Sequence, residues 1–426
     1  MADYRGKIVE PNLVWINDKF EAGIKLKISQ NGIIEEISRE ISGDVVELPQ
    51  FALIPGFINA HSHAFHRNLR GQSGIGCQES DTFWKWRDAM YKLVENISYD
   101  NFKQLCKGTF EEMINAGITT VGEFHYVHHE NDRFNLDNAV IEAAQEAGIR
   151  LVLIETLYSR SGFNAETVNK EQKRFESKID EFIKHLKILE KSTNSTTTLA
   201  VAAHSTRAVD TEGIQTLWRY ASENNKSFHI HLEEQPKEIE DCINSFHRLR
   251  PSELLLDKMY PVTSKLTVVH CTYTLREHLN VFAKKDVNIC ICPLTEGFLG
   301  DGIPDLNDTD HLCLGTDCNN RINFLEEMRW LTYCQNMKHN RRNCCKLDAT
   351  KLLQIATFNG AKSLGLEGAV GKFEVGQQFD YVAFDLESKR LKDFKAPNML
   401  LDAVIFGAGN EEIAAVGVAG IERKQK

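Results

Sequence analysis

The stretch LIPGFINAHSH, residues 53–63, is an apolar run that ends in two histidines separated by one serine. Alternate side chains of a β-strand point to the same side, so His61 and His63 can face one metal ion from a strand end. A pair with this spacing also occurs by chance at solvated strand ends. Its meaning therefore depends on which residues the rest of the chain brings to the same place.

Seven further apolar runs follow, and long amphipathic stretches separate them. Most are nearly continuous in valine, isoleucine and leucine, which is typical of parallel strands covered on both faces. Their alternation with helical stretches predicts repeated βα units, and hence an α/β fold built as a (β/α)8 TIM-like barrel. The predicted barrel strands are residues 53–61, 118–126, 150–157, 198–205, 227–234, 265–271, 287–292 and 311–317.

The two ends of the chain differ from its middle. Residues 1–52 contain short strand-like runs with a turn at residues 30–32, and residues 368–426 are short apolar segments interrupted by glycine. We expect these ends to form one small β-sandwich domain, while residues 53–367 form the barrel domain. A chain of 426 residues has room for both units.

The composition excludes several classes of partner. The formal net charge of −10 argues against nucleic acid or an anionic membrane as a partner. No apolar run is long enough to span a bilayer, and the first residues lack the apolar core of a signal peptide. The 11 cysteines show no paired spacing, which is typical of reduced thiols. We therefore expect a cytoplasmic protein, in which an anionic substrate would require local arginines.

Ionisable residues stand at the carboxyl ends of the predicted strands, where a barrel places its active site. The fifth strand ends with His231 and Glu234, the sixth with His270 and the eighth with Asp317. Three histidines and one aspartate can hold zinc and leave one position open for water. Each residue also has an ordinary interpretation, such as a buried histidine bonded to backbone or an aspartate capping a helix. It is improbable that all of these ordinary interpretations hold at once, with every residue standing at a strand end by chance.

In this order, the motifs HSH, HxxE, His and TD resemble the amidohydrolase superfamily, in its mononuclear deaminase branch. Longer segments are similar to the formimidoylglutamate deiminase family, from about residue 50 to about residue 340 and more weakly through GLEGAVGKFEVGQQFDYVAFD. The segments that carry the resemblance are PGFINAHSHAFHRNLRG, FWKWRDAMY, EFHYVHHE, HIHLEEQPKEIEDC, CPLTEGFLGDGI and FLEEMRWLTYCQ.

The resemblance implies hydrolysis of N-formimidoyl-L-glutamate to N-formyl-L-glutamate and ammonia, by water that a zinc ion activates. Asp317 and His270 would accept the water's proton, and Glu234 would act as the proton shuttle to the leaving nitrogen. The fourth strand ends without a lysine that could bridge two ions, so we expect one zinc per subunit, although Fe²⁺ or Mn²⁺ can occupy such sites. The implied metal ligands are His61, His63, His231 and Asp317.

A substrate with two carboxylates requires two cationic groups, and the planar fork of arginine suits a carboxylate. Arg87, in FWKWR, and Arg207, just after the fourth strand, are the candidates by position and by resemblance. Tyr126 and His204 would add hydrogen bonds, as would His66, which stands where the family usually has glutamine. On their own, both arginines also suit solvated surface positions.

Two other segments leave alternatives open, and a third predicts a turn. Residues 318–321 replace the serine and histidine that typically follow the family's metal aspartate, and Arg321 there is either a third cationic contact or a solvated charge. The histidines of EFHYVHHE, at 125, 128 and 129, suit either a second metal site or, more commonly, a hydrogen-bonded cluster around Tyr126. Residues 295–303 contain three glycines and predict a tight turn at the barrel mouth.

Two other functions are compatible with the pattern. One is a related deaminase that acts on a purine, a cytosine or a similar ring with the same metal chemistry. The other is a scaffold without catalysis, which would normally have lost metal ligands that this chain retains. We expect a small anionic substrate as the partner, and a homodimer, since dimers are common among the proteins that this chain resembles.

Overall fold

The strands of the chain form two groups in the computed structural model, which describes residues 1–72, 83–246, 248–259, 262–306 and 310–425. The strands are β1 Ile8–Ile16, β2 Lys19–Glu21, β3 Lys25–Ile28, β4 Ile34–Ser38, β5 Val45–Pro55, β6 Phe57–Ser62, β7 Ile118–His125, β8 Arg150–Leu157, β9 Thr197–Ser205, β10 Phe228–Leu232, β11 Leu266–His270, β12 Asn288–Ile291, β13 Leu312–Leu314, β14 Tyr381–Asp385, β15 Ile413–Val418 and β16 Ile421–Gln425.

Helices follow most strands of the middle region and are amphipathic. In the second helix, Ser98 caps the start, and buried Phe102, Cys106 and Phe110 recur at helical spacing. The helices are α1 Phe83–Val94, α2 Tyr99–Asn115, α3 Asn135–Ala147, α4 Ile179–Leu189, α5 Thr211–Glu223, α6 Pro236–Ser245, α7 Pro251–Lys258, α8 Arg276–Lys284, α9 Pro293–Leu299, α10 Phe324–His339, α11 Ala349–Ala356, α12 Phe358–Ser363 and α13 Pro397–Gly407. Within the residues described, none of these helices has both the length and the apolarity needed to cross a bilayer.

Strands β6 to β13 form a parallel barrel in which each strand pairs with its neighbours in sequence order. Every residue of β7 and β8 is buried, because side chains fill the inside of the barrel and helices cover the outside. The ring closes where the first strand meets the segment after β13: the amide of His63 donates to the carbonyl of Asp317 at 2.9 Å. The predicted (β/α)8 barrel is confirmed.

Several predicted strands end earlier than expected, because residues at the barrel mouth leave the extended conformation. The predicted strand 227–234 stops at Leu232, since Glu233 has a φ of 52°. The predicted strand 311–317 stops at Leu314, and Asp317 has a φ of 43°. Left-handed backbone is costly for residues other than glycine and concentrates at functional sites.

One glycine joins the barrel to the terminal strands. The predicted strand 53–61 is in fact two strands, β5 and β6, with Gly56 between them. A Cβ atom on Gly56 would lie 2.2 Å from Oγ1 of Thr119, so no larger residue fits without a shift of the structure.

The two ends of the chain build a second sheet, in the order β16-β15-β14-β5-β1-β3-β4, with β2 paired to β1. Strand β5 is central to it, since it runs parallel to β1 and antiparallel to β14. A separate apolar cluster that includes Leu26, Phe379 and Tyr381 packs on this sheet. The terminal segments therefore combine into a separate sheet, as the sequence predicts.

Two short segments differ from the predictions. The apolar run at residues 403–407, expected to be strand-like, is the end of helix α13, because Leu400, Leu401, Val404 and Ile405 recur at helical spacing and are buried. The predicted turn at residues 295–303 contains most of helix α9, which begins at Pro293 and ends before Gly300, whose φ is 72°. Proline at the first position and a left-handed glycine after the last are favoured helix ends.

Candidate active site

Four side chains predicted to bind metal converge at the mouth of the barrel. Nε2 of His61 lies 3.1 Å from Nε2 of His231 and 3.5 Å from Oδ1 of Asp317. Nε2 of His63 lies 3.3 Å from the same carboxylate oxygen. All four side chains are buried, so their polar atoms face one another and not solvent.

The donor set at this point fits a divalent cation. Nδ1 of His63 lies 2.8 Å from the carbonyl of Phe124, which can only accept, so Nδ1 carries the proton and Nε2 presents a lone pair. Nε2 of His61 and Nε2 of His231 cannot both donate to each other, so at least one lone pair faces the gap between them. Three imidazole nitrogens and one carboxylate oxygen are ligands that zinc favours.

Asp317 is held in place by a residue that the sequence analysis did not single out. Nδ2 of Asn319 lies 2.9 Å from the carbonyl of His63, 3.0 Å from that of Asp317 and 3.1 Å from Oγ of Ser62. This amide ties the turn after β13 to the end of β6. The segment 318–321 therefore supports the site through hydrogen bonds, although the family's serine and histidine are absent.

Arg321 points away from this site. Its Nη2 donates to Oε1 of Glu326 at 2.6 Å, and its side chain is 59% exposed. Of the two interpretations that the sequence allowed, the structure supports the solvated surface charge.

His270 lies among three carboxyl groups beside the metal-binding cluster. Its Nε2 is 3.7 Å from Oε1 of Glu234 and 4.0 Å from Oδ2 of Asp317, while its Nδ1 is 3.4 Å from Oε1 of Glu296. Burial alone would lower the pKa of His270, but Glu234, Glu296 and Asp317 raise it to about 10. Its φ of 74° is a further strained backbone position at the site.

Glu234 and Asp317 have opposite pKa shifts, which suits different roles. Burial, followed by the charge of Asp317, raises the pKa of Glu234 above its usual value, against the effect of His270. Burial also acts to raise the pKa of Asp317, but the bond from His61 and the charges of His270, His61 and His63 lower it overall. Asp317 is thus a carboxylate that can bind a cation, and Glu234 can hold and release a proton.

Helix α9 adds carboxyl groups that the sequence analysis missed. Glu296 accepts the amide of Cys292 at 3.0 Å and faces His270. Asp301, just after the helix, is fully buried and bonded to the amide of Gln235, and burial together with Glu234 raises its pKa to about 9. Because residues 295–303 were predicted to be a turn, the direction of these side chains could not be inferred.

One pocket brings together the predicted substrate-binding residues and the metal-binding cluster. His61 contacts the other members of this cluster but is fully buried and is not among the lining residues. The predicted residues that line it are His63, His66, Arg87, Tyr126, His204, Arg207, His231, Glu234, His270 and Asp317. Aromatic and apolar side chains complete the wall: Phe83, Trp86, Met90, Tyr91, Tyr158, Phe175 and Leu299.

His66 and Tyr126 form a polar pair on the pocket wall. Nε2 of His66 lies 3.0 Å from the hydroxyl of Tyr126, and Nδ1 of His66 is buried without a hydrogen-bond partner. Burial lowers the pKa of His66 to about 3, so the ring is neutral. The pair offers one hydrogen-bonding position to a bound molecule at Nδ1.

The two arginines line the same pocket. Both are half-buried, and the guanidinium carbon of Arg87 is 5.5 Å from the centre of the Tyr91 ring. After burial, the positive charges of Arg207 and Arg87 are among the causes that lower the pKa of His204, so both lie near this ring. The pocket thus contains both cationic groups and the metal-binding cluster.

The comparisons with known proteins identify a family. A family model described as "Amidohydrolase family" matches residues 52–421. Formimidoylglutamate deiminase of Pseudomonas aeruginosa is 31% identical over 93% of this chain and 90% of that protein. The 5-methylthioadenosine/S-adenosylhomocysteine deaminase of Clostridium tetani is 27% identical over 86% of this chain and 80% of that protein.

A solved structure agrees with these matches. The crystal structure of an amidohydrolase from Brucella melitensis superposes with a TM-score of 0.85 and 28% identity, covering 98% of this chain and 95% of that one. Amidohydrolases of this type use one metal ion, in agreement with the converging histidines and aspartate. The chain therefore belongs to the amidohydrolase family and is a hydrolase that acts on carbon–nitrogen bonds.

Proposed function

We propose that the protein hydrolyses N-formimidoyl-L-glutamate to N-formyl-L-glutamate and ammonia, with one zinc ion at His61, His63, His231 and Asp317. The observation that carries the proposal is that Arg87 and Arg207 line the same pocket as this cluster. The similarity to the deiminase of Pseudomonas aeruginosa supports the same substrate.

The arginines give the pocket its preference for a dicarboxylate. Each guanidinium can bind one carboxylate through two parallel hydrogen bonds, which fixes both the position and the rotation of a glutamate moiety. With its carboxylates held there, the formimidoyl carbon would extend toward Glu234 and the metal-binding residues. The neutral His66–Tyr126 pair and His204 would bond to the polar groups between these two ends.

The reaction adds water across the C=N bond and then breaks the bond to the leaving nitrogen. The chemistry that a bound zinc ion supplies is the acidification of water, so that hydroxide is available near pH 7. Glu234, whose pKa burial raises, takes the first proton from water and delivers it to the imino nitrogen, which becomes an amino group. Protonated His270 donates a hydrogen bond to the attacking oxygen, and Asp317 accepts that oxygen's remaining proton as the formyl group forms. Glu234 passes this second proton to the nitrogen, which leaves as ammonia.

A related deaminase of adenosine derivatives is the rival proposal, because the relative from Clostridium tetani is named for such substrates. An adenine ring has no carboxylate, so binding it beside the two arginines would desolvate charges without compensation. The arginines therefore favour the dicarboxylate.

Ammonia release with a series of substrates tests the proposal. We expect the highest kcat/KM for N-formimidoyl-L-glutamate, and loss of turnover after treatment with a chelator. N-formimidoyl-L-norvaline and N-formimidoyl-γ-aminobutyrate each lack one carboxylate, so both should be poor substrates. Faster turnover of 5-methylthioadenosine, adenosine or guanine would exclude the proposal, as would equal rates for the one-carboxylate analogues.

A further inference from the structure

A second cluster of potential metal ligands lies on the outer face of the barrel. His125 at the end of β7 and Glu155 on β8 are paired neighbours in the sheet. His128 follows in the loop after β7, and Asp137 belongs to helix α3, which covers these strands. All four side chains are buried, with exposures between 0% and 1%.

The polar atoms of this cluster converge as closely as those of the active site. Oδ1 of Asp137 lies 2.9 Å from Nε2 of His125 and 2.9 Å from Nδ1 of His128. Nδ1 of His128 is also 3.4 Å from Oε2 of Glu155. One nitrogen or oxygen from each of the four residues lies within 4.8 Å of all the others.

The orientation of His128 leaves a lone pair directed at carboxylates. Its Nε2 lies 2.9 Å from the carbonyl of Thr156, which only accepts, so Nε2 carries the proton. In a neutral ring, Nδ1 then has no proton, yet it faces one oxygen of Asp137 and one of Glu155. A cation between these atoms would satisfy all three, and His63 has the same arrangement at the active site, with one nitrogen on a backbone carbonyl.

Glu155 provides an independent indication of a missing partner. Its side chain is completely buried, and neither of its carboxyl oxygens has a hydrogen-bond partner among the described residues. A buried carboxyl group without a partner is costly. Metal binding requires neutral imidazoles and ionised carboxylates, and in that state the four side chains carry a charge of −2, which one divalent cation neutralises.

His185 on helix α4 completes the outer contacts. Its Nε2 lies 2.6 Å from Oδ2 of Asp137, so Oδ2 is occupied and Oδ1 is left to face the cluster. Metal-binding carboxylates commonly have such a second contact that fixes their orientation.

We propose that His125, His128, Asp137 and Glu155 bind a second divalent transition-metal ion of the zinc class, separate from the active site. Four protein ligands leave no position for water, so the site is structural. It ties β7 and β8 to helix α3 at the start of the loop that carries Tyr126. The sequence predicted hydrogen-bonded histidines as the commoner alternative, and a protonated network without metal is the outcome that opposes the proposal.

Metal counting on the full-length protein tests this proposal independently of substrate. The protein is produced with zinc supplied, dialysed against metal-free buffer and analysed by mass spectrometry for metal per chain. We expect about two equivalents in the wild type and about one in the double variant His61→Ala/His63→Ala, which leaves the second cluster intact. The matched variant His128→Gln/Glu155→Gln should also retain about one.

Anomalous X-ray scattering at the zinc edge provides the location. We expect a peak among His125, His128, Asp137 and Glu155 in crystals of the wild type and of His61→Ala/His63→Ala. One equivalent in the wild type, with none in His61→Ala/His63→Ala and no peak at the cluster, overturns the proposal. This holds even if His128→Gln/Glu155→Gln fails to fold, because the other two proteins give the answer.

Discussion

Glu296 places a carboxyl oxygen 3.4 Å from Nδ1 of His270, on the side of the ring opposite to Glu234. This contact fixes which edge of His270 faces the pocket and favours its protonated form. Glu296 touches neither the metal-binding atoms nor the proposed substrate position, so it acts by positioning His270.

We predict that Glu296→Gln lowers kcat by about 10- to 100-fold and leaves KM nearly unchanged, as expected for a residue that orients a catalytic group. Removing the negative charge lowers the pKa of His270, so the pH profile of kcat should move to lower pH. Steady-state kinetics from pH 6 to pH 10 measures both effects. Glu277→Gln, an exposed change on helix α8, is the control. An unchanged pH profile with reduced kcat would indicate a purely structural role.

Glu234 is expected to carry the proton to the leaving nitrogen. Glu234→Gln keeps the size of the side chain but cannot exchange a proton, so kcat should fall by about 10²- to 10⁴-fold. Metal content should stay at the wild-type value, since Glu234 is not among the four proposed ligands of the active-site ion. Ammonia release and metal analysis on the same preparation measure both quantities. Retention of most of the activity would remove Glu234 from the mechanism.

The two arginines should determine the preference for a dicarboxylate. Arg87→Met and Arg207→Met each remove a pair of charge-assisted hydrogen bonds, so kcat/KM for N-formimidoyl-L-glutamate should fall by about 10²-fold or more, from roughly 3 kcal/mol of lost binding. Arg321→Met is the matched control, because this exposed side chain pairs with Glu326. The control should keep wild-type kinetics. If Arg321→Met lost as much activity as the pocket variants, the loss of kcat/KM would follow from the change in net charge and not from a specific contact with the substrate.

The barrel and the residues of the candidate site were predictable because both follow from strand geometry. His61 and His63 share one side of a strand by the two-residue repeat, and His231, His270 and Asp317 lie at ends of parallel strands that meet at one mouth. Buried parallel strands are also recognisable from continuous apolar sequence. These regularities depend on the backbone and not on the details of packing.

Contacts that depend on local turns were not predictable. Glu296 reaches His270 because residues 293–299 form a helix, and the glycines of this segment led to the prediction of a turn. The proline at the start and Gly300 at the end are helix signals that outweigh the glycine content of this segment. Asn319 itself has a left-handed backbone, with a φ of 52°. The spacing of the motifs gives no signal for such a conformation.

The junction between the two sheets should not tolerate a side chain at Gly56. In Gly56→Ala, the new Cβ would clash with Thr119, and unfolding free energy should fall by about 1–3 kcal/mol. Gly108→Ala, within helix α2, meets no atom within 4 Å and should raise stability by about 0.5–1 kcal/mol. Urea unfolding of both variants measures the difference. Equal stabilities would mean that the junction relaxes at little cost.

His129 should make the protein sensitive to acid. Its Nδ1 accepts the amide of Phe134 at 2.9 Å, and its Nε2 donates to the carbonyl of Glu176 at 2.9 Å, so the folded ring is neutral. Burial, with a contribution from the neighbouring His128, lowers its pKa to about 3, whereas the unfolded value is about 6.5.

Because the unfolded state binds this proton more readily, the stabilisation from His129 is complete above about pH 6.5 and decreases as the pH falls toward 3. The loss is about 1.4 kcal/mol per pH unit at most, so wild-type protein should lose about 1–2 kcal/mol more than His129→Gln between pH 7.5 and pH 5. Urea midpoints of both proteins at the two pH values give this difference. The contributions of the other histidines are shared by the two proteins and cancel in the comparison. Parallel losses in the two proteins would show that His129 accepts a proton in the folded state at little cost.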